Sequence, residues 1–290
     1  MINPFLDNIK DSRTLELLWD RPDPELRLMG HLYMVMDALA NQEDPHATPS
    51  PSQIHGCRLK MWFGGRGIAK TNRIPPASFK KMETGRHIEG FWREVIDAAG
   101  FDWEPCPDSI ERGPWKGGIG DGILTIREQD AADAMGLPVG TKGLLELKDL
   151  GVWSFDNYIT EGSQGRDIKG YYHQAQTYLD FYSESHDLSF AILLGGQADN
   201  SSVTFNWKRM RKREGEPPPF WLEILYPDPS VQAENHARAT EVNWYLERYT
   251  DDSKPPIELK DFDPEAGKFP CGDAEKAYCG WRDLCLKVRR

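Results

Sequence analysis

The run Gly-Leu-Leu-Glu-Leu-Lys-Asp-Leu, residues 143–150, sets an acid and a lysine two positions apart inside an otherwise apolar segment. On a strand, residues two apart share a face, so Glu146 and Lys148 point the same way while Leu145 and Leu147 point into a core. Burying an acid beside a lysine is costly unless something offsets it, such as a bound cation or a reacting phosphate. Asp121 lies in an earlier run, Ile119 to Ile126, that reads as the partner strand of a hairpin, directly after Gly118-Ile119-Gly120. An Asp, a Glu and a Lys on one sheet suit metal-assisted hydrolysis of a phosphodiester. The carboxylates hold a hard cation through oxygen, the cation lowers the pKa of a water, and the lysine orients that water or stabilises the phosphate. The same three residues also suit an edge strand with a solvated polar face and a simple charge pair.

The chain has 290 residues, of which 39% are hydrophobic, enough for one large domain or a domain with an appended lobe. No stretch of about 18 apolar residues occurs, and the start, Met-Ile-Asn-Pro-Phe-Leu-Asp, lacks a basic region followed by an apolar run. A soluble, cytoplasmic protein with no membrane partner is expected. The net charge of -11 argues against broad, non-specific coating of nucleic acid, but leaves room for a local basic groove.

Residues 1–50 read as a helical N-terminal extension, with helices near Ser12 to Trp19 and Pro24 to Asn41. Its stripe Leu26, Met29, Leu32, Tyr33 and Met36 is core packing. Ser50-Pro51-Ser52 opens a further helix that carries Cys57 and Arg58 and runs to about Phe63, with Ser as cap and Pro in the first turn. A helical region from Pro76 to Ala99 places His87 beside the stripe Phe91, Trp92, Val95 and Ile96. Alone, His87 is a core-edge histidine; beside Asp121 and Glu146 it is a candidate third metal ligand.

Arg166 to Glu184 reads as a helix in which Gln174 and Tyr178, four apart, share a face. Laid against the sheet, it would aim Gln174 at the site; otherwise it is an ordinary amphipathic helix. Leu188 to Gly195, Ser202 to Trp207 and Phe220 to Tyr226 read as strands, and Asp228 to Tyr249 as a helix capped by Asp228 or Ser230. The dense basic run Lys208, Arg209, Met210, Arg211, Lys212, Arg213 follows Trp207. It reads as a solvated hairpin end or as a rim that contacts DNA phosphates.

Five cysteines, an odd number in a cytosol-like sequence, do not form a disulfide framework. Three, Cys271, Cys279 and Cys285, fall within fifteen residues at the C-terminal end. Thiolates at that density bind a metal or cluster more often than they sit as inert core. A four-thiolate site needs one more, for which Cys57 is the natural candidate and Cys106 the weaker one.

Together these elements resemble the PD-(D/E)XK nuclease superfamily, in particular its iron–sulfur branch of CRISPR-adaptation exonucleases and RecB- and AddB-like nucleases. The resemblance covers residues 50–290: Ser50-Pro-Ser with Cys57, His87 after a glycine, Asp121 after Gly-x-Gly, Glu146-x-Lys148, Gln174-x-x-x-Tyr178, and Cys279 with Trp281, Arg282 and Cys285. It implies an α/β nuclease core, a central mixed sheet flanked by helices, over residues 51–290, with the C-terminus stapled by a cysteine cluster. It implies Mg2+ or Mn2+ held by His87, Asp121, Glu146 and the carbonyl of Leu147, with Lys148 acting on the water and Gln174 and Tyr178 orienting the substrate. It further implies a [4Fe–4S] cluster on Cys57, Cys271, Cys279 and Cys285. One departure stands out: seven residues separate Cys271 from Cys279, where the family's tail has two. A zinc ion on the same thiolates is the alternative.

The resemblance points to a metal-dependent DNA exonuclease acting on single strands or ends, in phage recombination, DNA processing or CRISPR adaptation. A second copy or a recombination or CRISPR partner is compatible with such roles. The competing readings are a DNA-binding or scaffold subunit that no longer cuts, and a zinc-stapled structural protein. No Walker-type Gly-Lys-Ser/Thr loop is present, so the chain carries no ATPase of that kind.

Overall fold

Alternation of apolar strands with amphipathic helices produces a mixed α/β architecture, seen here in a computed structural model that describes residues 32, 48–72, 89–107, 109–165, 169–196, 220–262 and 279–287. His87, Cys271, the basic run 208–213, the expected strand 202–207 and nearly all of the N-terminal extension lie outside those residues. Five strands form one sheet in the order β1-β2-β3-β4-β5. They are β1 (Phe101–Glu104), β2 (Gly122–Ile126), β3 (Lys142–Asp149), β4 (Leu188–Gly196) and β5 (Phe220–Leu225). The β1–β2, β2–β3 and β4–β5 pairs are antiparallel, whereas β3 and β4 run parallel.

A parallel pair cannot be joined by a tight turn, and here the crossover is helical. It consists of α4 (Val152–Gly165) and α5 (Tyr171–His186). Before them come α1 (Arg58–Gly65), a helix α2 whose described part is 89–98, and α3 (Gln129–Met135); α6 (Pro229–Arg248) and α7 (Arg282–Lys287) follow.

Both faces of the sheet are covered, which explains why β3 and β4 read as nearly continuous apolar runs. On one face Leu145 and Leu147 of β3 and Phe190 and Ile192 of β4 pack with Trp92 and Ile96 of α2 and Ala131 and Ala132 of α3. On the other, Leu144, Ala191 and Leu193 meet Phe155 and Tyr158 of α4 and Tyr178, Leu179 and Tyr182 of α5. Glu146 and Lys148 alternate with the leucines of the first face and so belong to the second.

Three local expectations change. β2 and β3 pair antiparallel, but not as the expected hairpin: their connection contains α3, closed by Gly136 in the left-handed conformation (φ 65°). The helix expected from Ser50 to Phe63 is two elements. Pro51–Gln53 form a single 3-10 turn, the chain breaks at Gly56, and α1 starts only at Arg58. Ser50 makes no capping bond; its hydroxyl meets that of Ser52 at 3.2 Å. The expected start at Arg166 is likewise replaced, because α5 begins at Tyr171 behind a left-handed Gly170 (φ 77°).

The expected helix after Asp228 is present as α6. The Asp228 carboxylate accepts from the backbone N–H groups of Ser230 and Val231, and the Tyr172 hydroxyl donates to it at 2.9 Å. That cap ties α6 to α5, the helix lying over the polar side of β3.

Candidate active site

Glu146 and Lys148 share one face of β3, and Asp121 sits just ahead of β2 on the neighbouring strand, where Gly122 pairs with Leu145. This register brings Asp121 level with Glu146 and Leu147. The backbone N–H of Leu147 donates to Asp121 Oδ2 at 2.7 Å, so the aspartate is held by the strand that carries the other two groups. Lys148 Nζ lies 2.6 Å from Glu146 Oε2 and 3.7 Å from Asp121 Oδ2.

Exposure rises across the trio: the Glu146 side chain is 1% exposed, Lys148 12% and Asp121 26%. The cluster is therefore a recess with Asp121 at its mouth, not a solvated strand edge. Burial pushes the Glu146 carboxyl up to about 7, with the Lys148 charge pulling it back and Asp121 adding to the rise. Burial works against the Lys148 charge too, yet Glu146 and Asp121 outweigh it and hold the ammonium above its ordinary pKa.

With all three groups ionised, one net negative charge remains among two carboxylates and one ammonium. Glu146 Oε1 is buried and has no hydrogen-bond partner among the described residues. An orphaned carboxylate oxygen, on a residue that also feels the charge of a second carboxylate, fits a hard divalent cation, which prefers oxygen ligands. Among the described residues no group of three or more His, Cys, Asp or Glu side chains comes together as a metal site, so the side-chain donors placed here are Asp121 and Glu146.

The wall of the recess is built from glycines and α5. Gly118 has φ 116°, and a Cβ there would fall 2.7 Å from Pro51 and 3.2 Å from the Tyr178 hydroxyl. A side chain at Gly120 would meet Cys106 at 3.0 Å and Glu146 Oε1 at 3.5 Å. The Gly-x-Gly before Asp121 thus lets the 3-10 turn, α5 and the acidic recess approach one another.

Gln174 and Tyr178 are hydrogen-bonded to each other on α5. Burial, then the Glu146 charge, raises the Tyr178 phenol, which stays protonated. Two groups at this wall were not expected from the sequence. The sequence offers Cys106 only as a weaker thiolate ligand, yet it lies by Gly120 with Tyr182, where burial and the Glu146 charge push its thiol up to about 12. Tyr171 places its ring under Lys148, with Nζ 5.4 Å from the ring centroid. The signal for Tyr171 was available: with Gln174 and Tyr178 it completes an i, i+3, i+7 face.

The other cysteines lie elsewhere. Cys57, Cys279 and Cys285 join one apolar cluster with Leu59, Trp62, Phe63, Leu259 and Trp281, separate from the cluster that holds Cys106. Burial raises the Cys279 thiol, and Cys57 is near enough to contribute to the rise.

No family model and no curated protein matches the chain. Solved structures do. One is an alkaline exonuclease (LHK-Exo) from Laribacter hongkongensis, at 13% identity and TM-score 0.42, covering 75% of this chain and 94% of that one. LHK-Exo in complex with dAMP matches at 14% identity and TM-score 0.41, over 67% and 80% of the two chains.

Proposed function

We propose that this chain is a metal-dependent deoxyribonuclease, acting as an exonuclease on single strands or DNA ends. The observation that carries the reading is the buried Asp121–Glu146–Lys148 recess with its unpartnered Glu146 oxygen. Asp121, Glu146 and the Leu147 carbonyl would hold Mg2+ or Mn2+, with His87 as a further ligand. When bound, such a cation supplies charge for the phosphate and a lowered pKa for water.

The protein's own groups do the rest. Lys148, kept as an ammonium, donates to the attacking water or to a phosphate oxygen. Gln174, oriented by its bond to Tyr178, presents an amide to the substrate. In the reaction a water gives up a proton as its oxygen bonds to phosphorus, and the bond from phosphorus to the leaving sugar oxygen breaks, that oxygen taking up a proton from solvent. The recess excludes bulk water from Glu146, which strengthens each of these contacts. Lys208, Arg209, Arg211, Lys212 and Arg213 would bind the DNA backbone.

The test is cleavage of end-labelled single- and double-stranded DNA with Mn2+, comparing wild type with Lys148→Ala. Metal-dependent shortening that vanishes in the variant supports the reading. Intact DNA with both proteins, while binding persists, favours the scaffold reading instead.

We further propose that Cys57, Cys279 and Cys285, with Cys271, staple the chain ends around a [4Fe–4S] cluster. The first three share one apolar cluster, but among the described residues they do not meet as a ready-made group of three ligands, so the staple would have to draw them together. Metal analysis of anaerobically purified protein separates iron with sulfide from zinc, and absence of both removes the staple.

A further inference from the structure

Lys148 has a long flexible stem and three N–H donors, so its usefulness in the recess depends on what stops it from swinging away. In the metal-free protein Glu146 and Asp121 do so. A cation on those carboxylates would draw off the charge that restrains the lysine. The Lys148 ammonium also sits over the Tyr171 ring, within the distance at which the negative ring face attracts a cation. A ring face differs from a third carboxylate in one useful respect: it restrains the ammonium and leaves its N–H groups available for water or phosphate.

The ring is itself held from behind. Tyr171 stacks on Tyr158 at 5.4 Å and 28°, and Tyr158 stacks on Trp221 of β5 at 4.5 Å and 25°. The Trp221 indole N–H donates to Glu223 Oε1 at 3.1 Å. The same carboxylate accepts from the Ser163 backbone N–H at 2.7 Å, where α4 is broken at Gly162 (φ 70°). An aromatic stack thus runs from the edge strand to the underside of Lys148, anchored at its far end by a carboxylate that bonds two elements.

We propose that Tyr171 is a positioning residue, whose ring face keeps the Lys148 ammonium aimed into the recess while the carboxylates are engaged elsewhere. The inference rests on the nuclease reading and deepens it.

The test replaces Tyr171 with Phe, with ring-fluorinated phenylalanines and with Leu, in the full chain. Fluorination keeps the shape and drains the ring face of negative charge, so a merely structural ring would not respond to it. Four quantities are read: kcat and KM on DNA, the ring-current shift of the Lys148 ε-methylene protons by NMR, and Tm. Tyr171→Phe is expected to keep both kcat and the shift. Increasing fluorination is expected to lower kcat stepwise at constant KM and Tm, and Tyr171→Leu to lower it about tenfold with loss of the shift.

Wild-type kcat in the trifluorinated and Leu variants overturns the proposal while leaving the nuclease reading intact. So does an equal loss in Phe and Leu, since the hydroxyl would then be the active part. A wild-type protein that cuts no DNA fails the nuclease reading itself, and this role falls with it.

Discussion

Glu146 is the most deeply buried ionisable group of the trio, and in the proposed nuclease most of the chemistry would turn on it. Its carboxyl is raised by burial from 4.5 to about 7, so between those pH values the folded protein holds a proton that the unfolded chain gives up. The stability contributed by this group therefore falls as pH climbs through that window. A divalent cation competes with the same proton, so its binding strengthens as pH rises. Mn2+ is expected to raise Tm more at about pH 8 than at about pH 5.5, and Glu146→Gln to remove most of that difference in a thermal-shift series. At the recess mouth, Gly118→Ala must place a Cβ against Pro51 and Tyr178 at φ 116°. It is expected to cut activity by displacing the wall of the site, with a stability loss of about 1–3 kcal/mol seen by denaturant titration.

Among the elements, α5 and α6 are joined at Asp228, which accepts from Ser230 N–H, Val231 N–H and the Tyr172 hydroxyl. Asp228→Ala is expected to cost about 1–2 kcal/mol in chemical denaturation while leaving metal dependence unchanged. This cap was readable beforehand, since Asp-Pro-Ser is a helix start whose three parts are adjacent in sequence. So was the shared face of Glu146 and Lys148, which follows from the two-residue period of a strand. The helix expected from Ser50 was misread because Ser-Pro-Ser is equally good at opening a 3-10 turn. Gly56, whose Cβ would stand 2.9 Å from the Gln53 carbonyl oxygen, marks where that turn gives way. The i, i+3, i+7 face groups Tyr171 with Gln174 and Tyr178, but its place beneath Lys148 depends on how α5 crosses β3, and that of Cys106 beside Glu146 on the path of the chain from β1 to Gly120. No local pattern encodes either.

Across the whole molecule, α1 is tied to distant parts of the chain by charge as well as by its apolar cluster. Asp261 accepts from the Arg58 backbone N–H at 2.8 Å, from Arg58 Nε at 3.0 Å and from Arg238 at 3.3 Å. Arg58 also pairs with Glu241 of α6, and Arg238 donates to the carbonyls of Ile54 and Gly56. The Trp281 indole meets the Ile68 carbonyl at 2.7 Å, drawing the C-terminal segment onto the same region. These polar ties join the segment around Cys57 to the later chain independently of any thiolate ligand. Asp261→Ala leaves both arginines short of an acceptor and is expected to cost about 1.5–3 kcal/mol, read as a lowered Tm. No helix among the described residues is long and apolar enough to cross a membrane.

In the proposed function the recess of Asp121, Glu146 and Lys148 would cut DNA with a divalent cation. The most direct test is a Mn2+ titration of end-labelled DNA cleavage under single-turnover conditions, wild type beside Glu146→Gln. Saturable, Mn2+-dependent cleavage by wild type is expected, with a loss of at least about a hundredfold in the variant at matched Tm. Equal cleavage by the two proteins, or cleavage indifferent to Mn2+ and to chelator, would place the chemistry elsewhere.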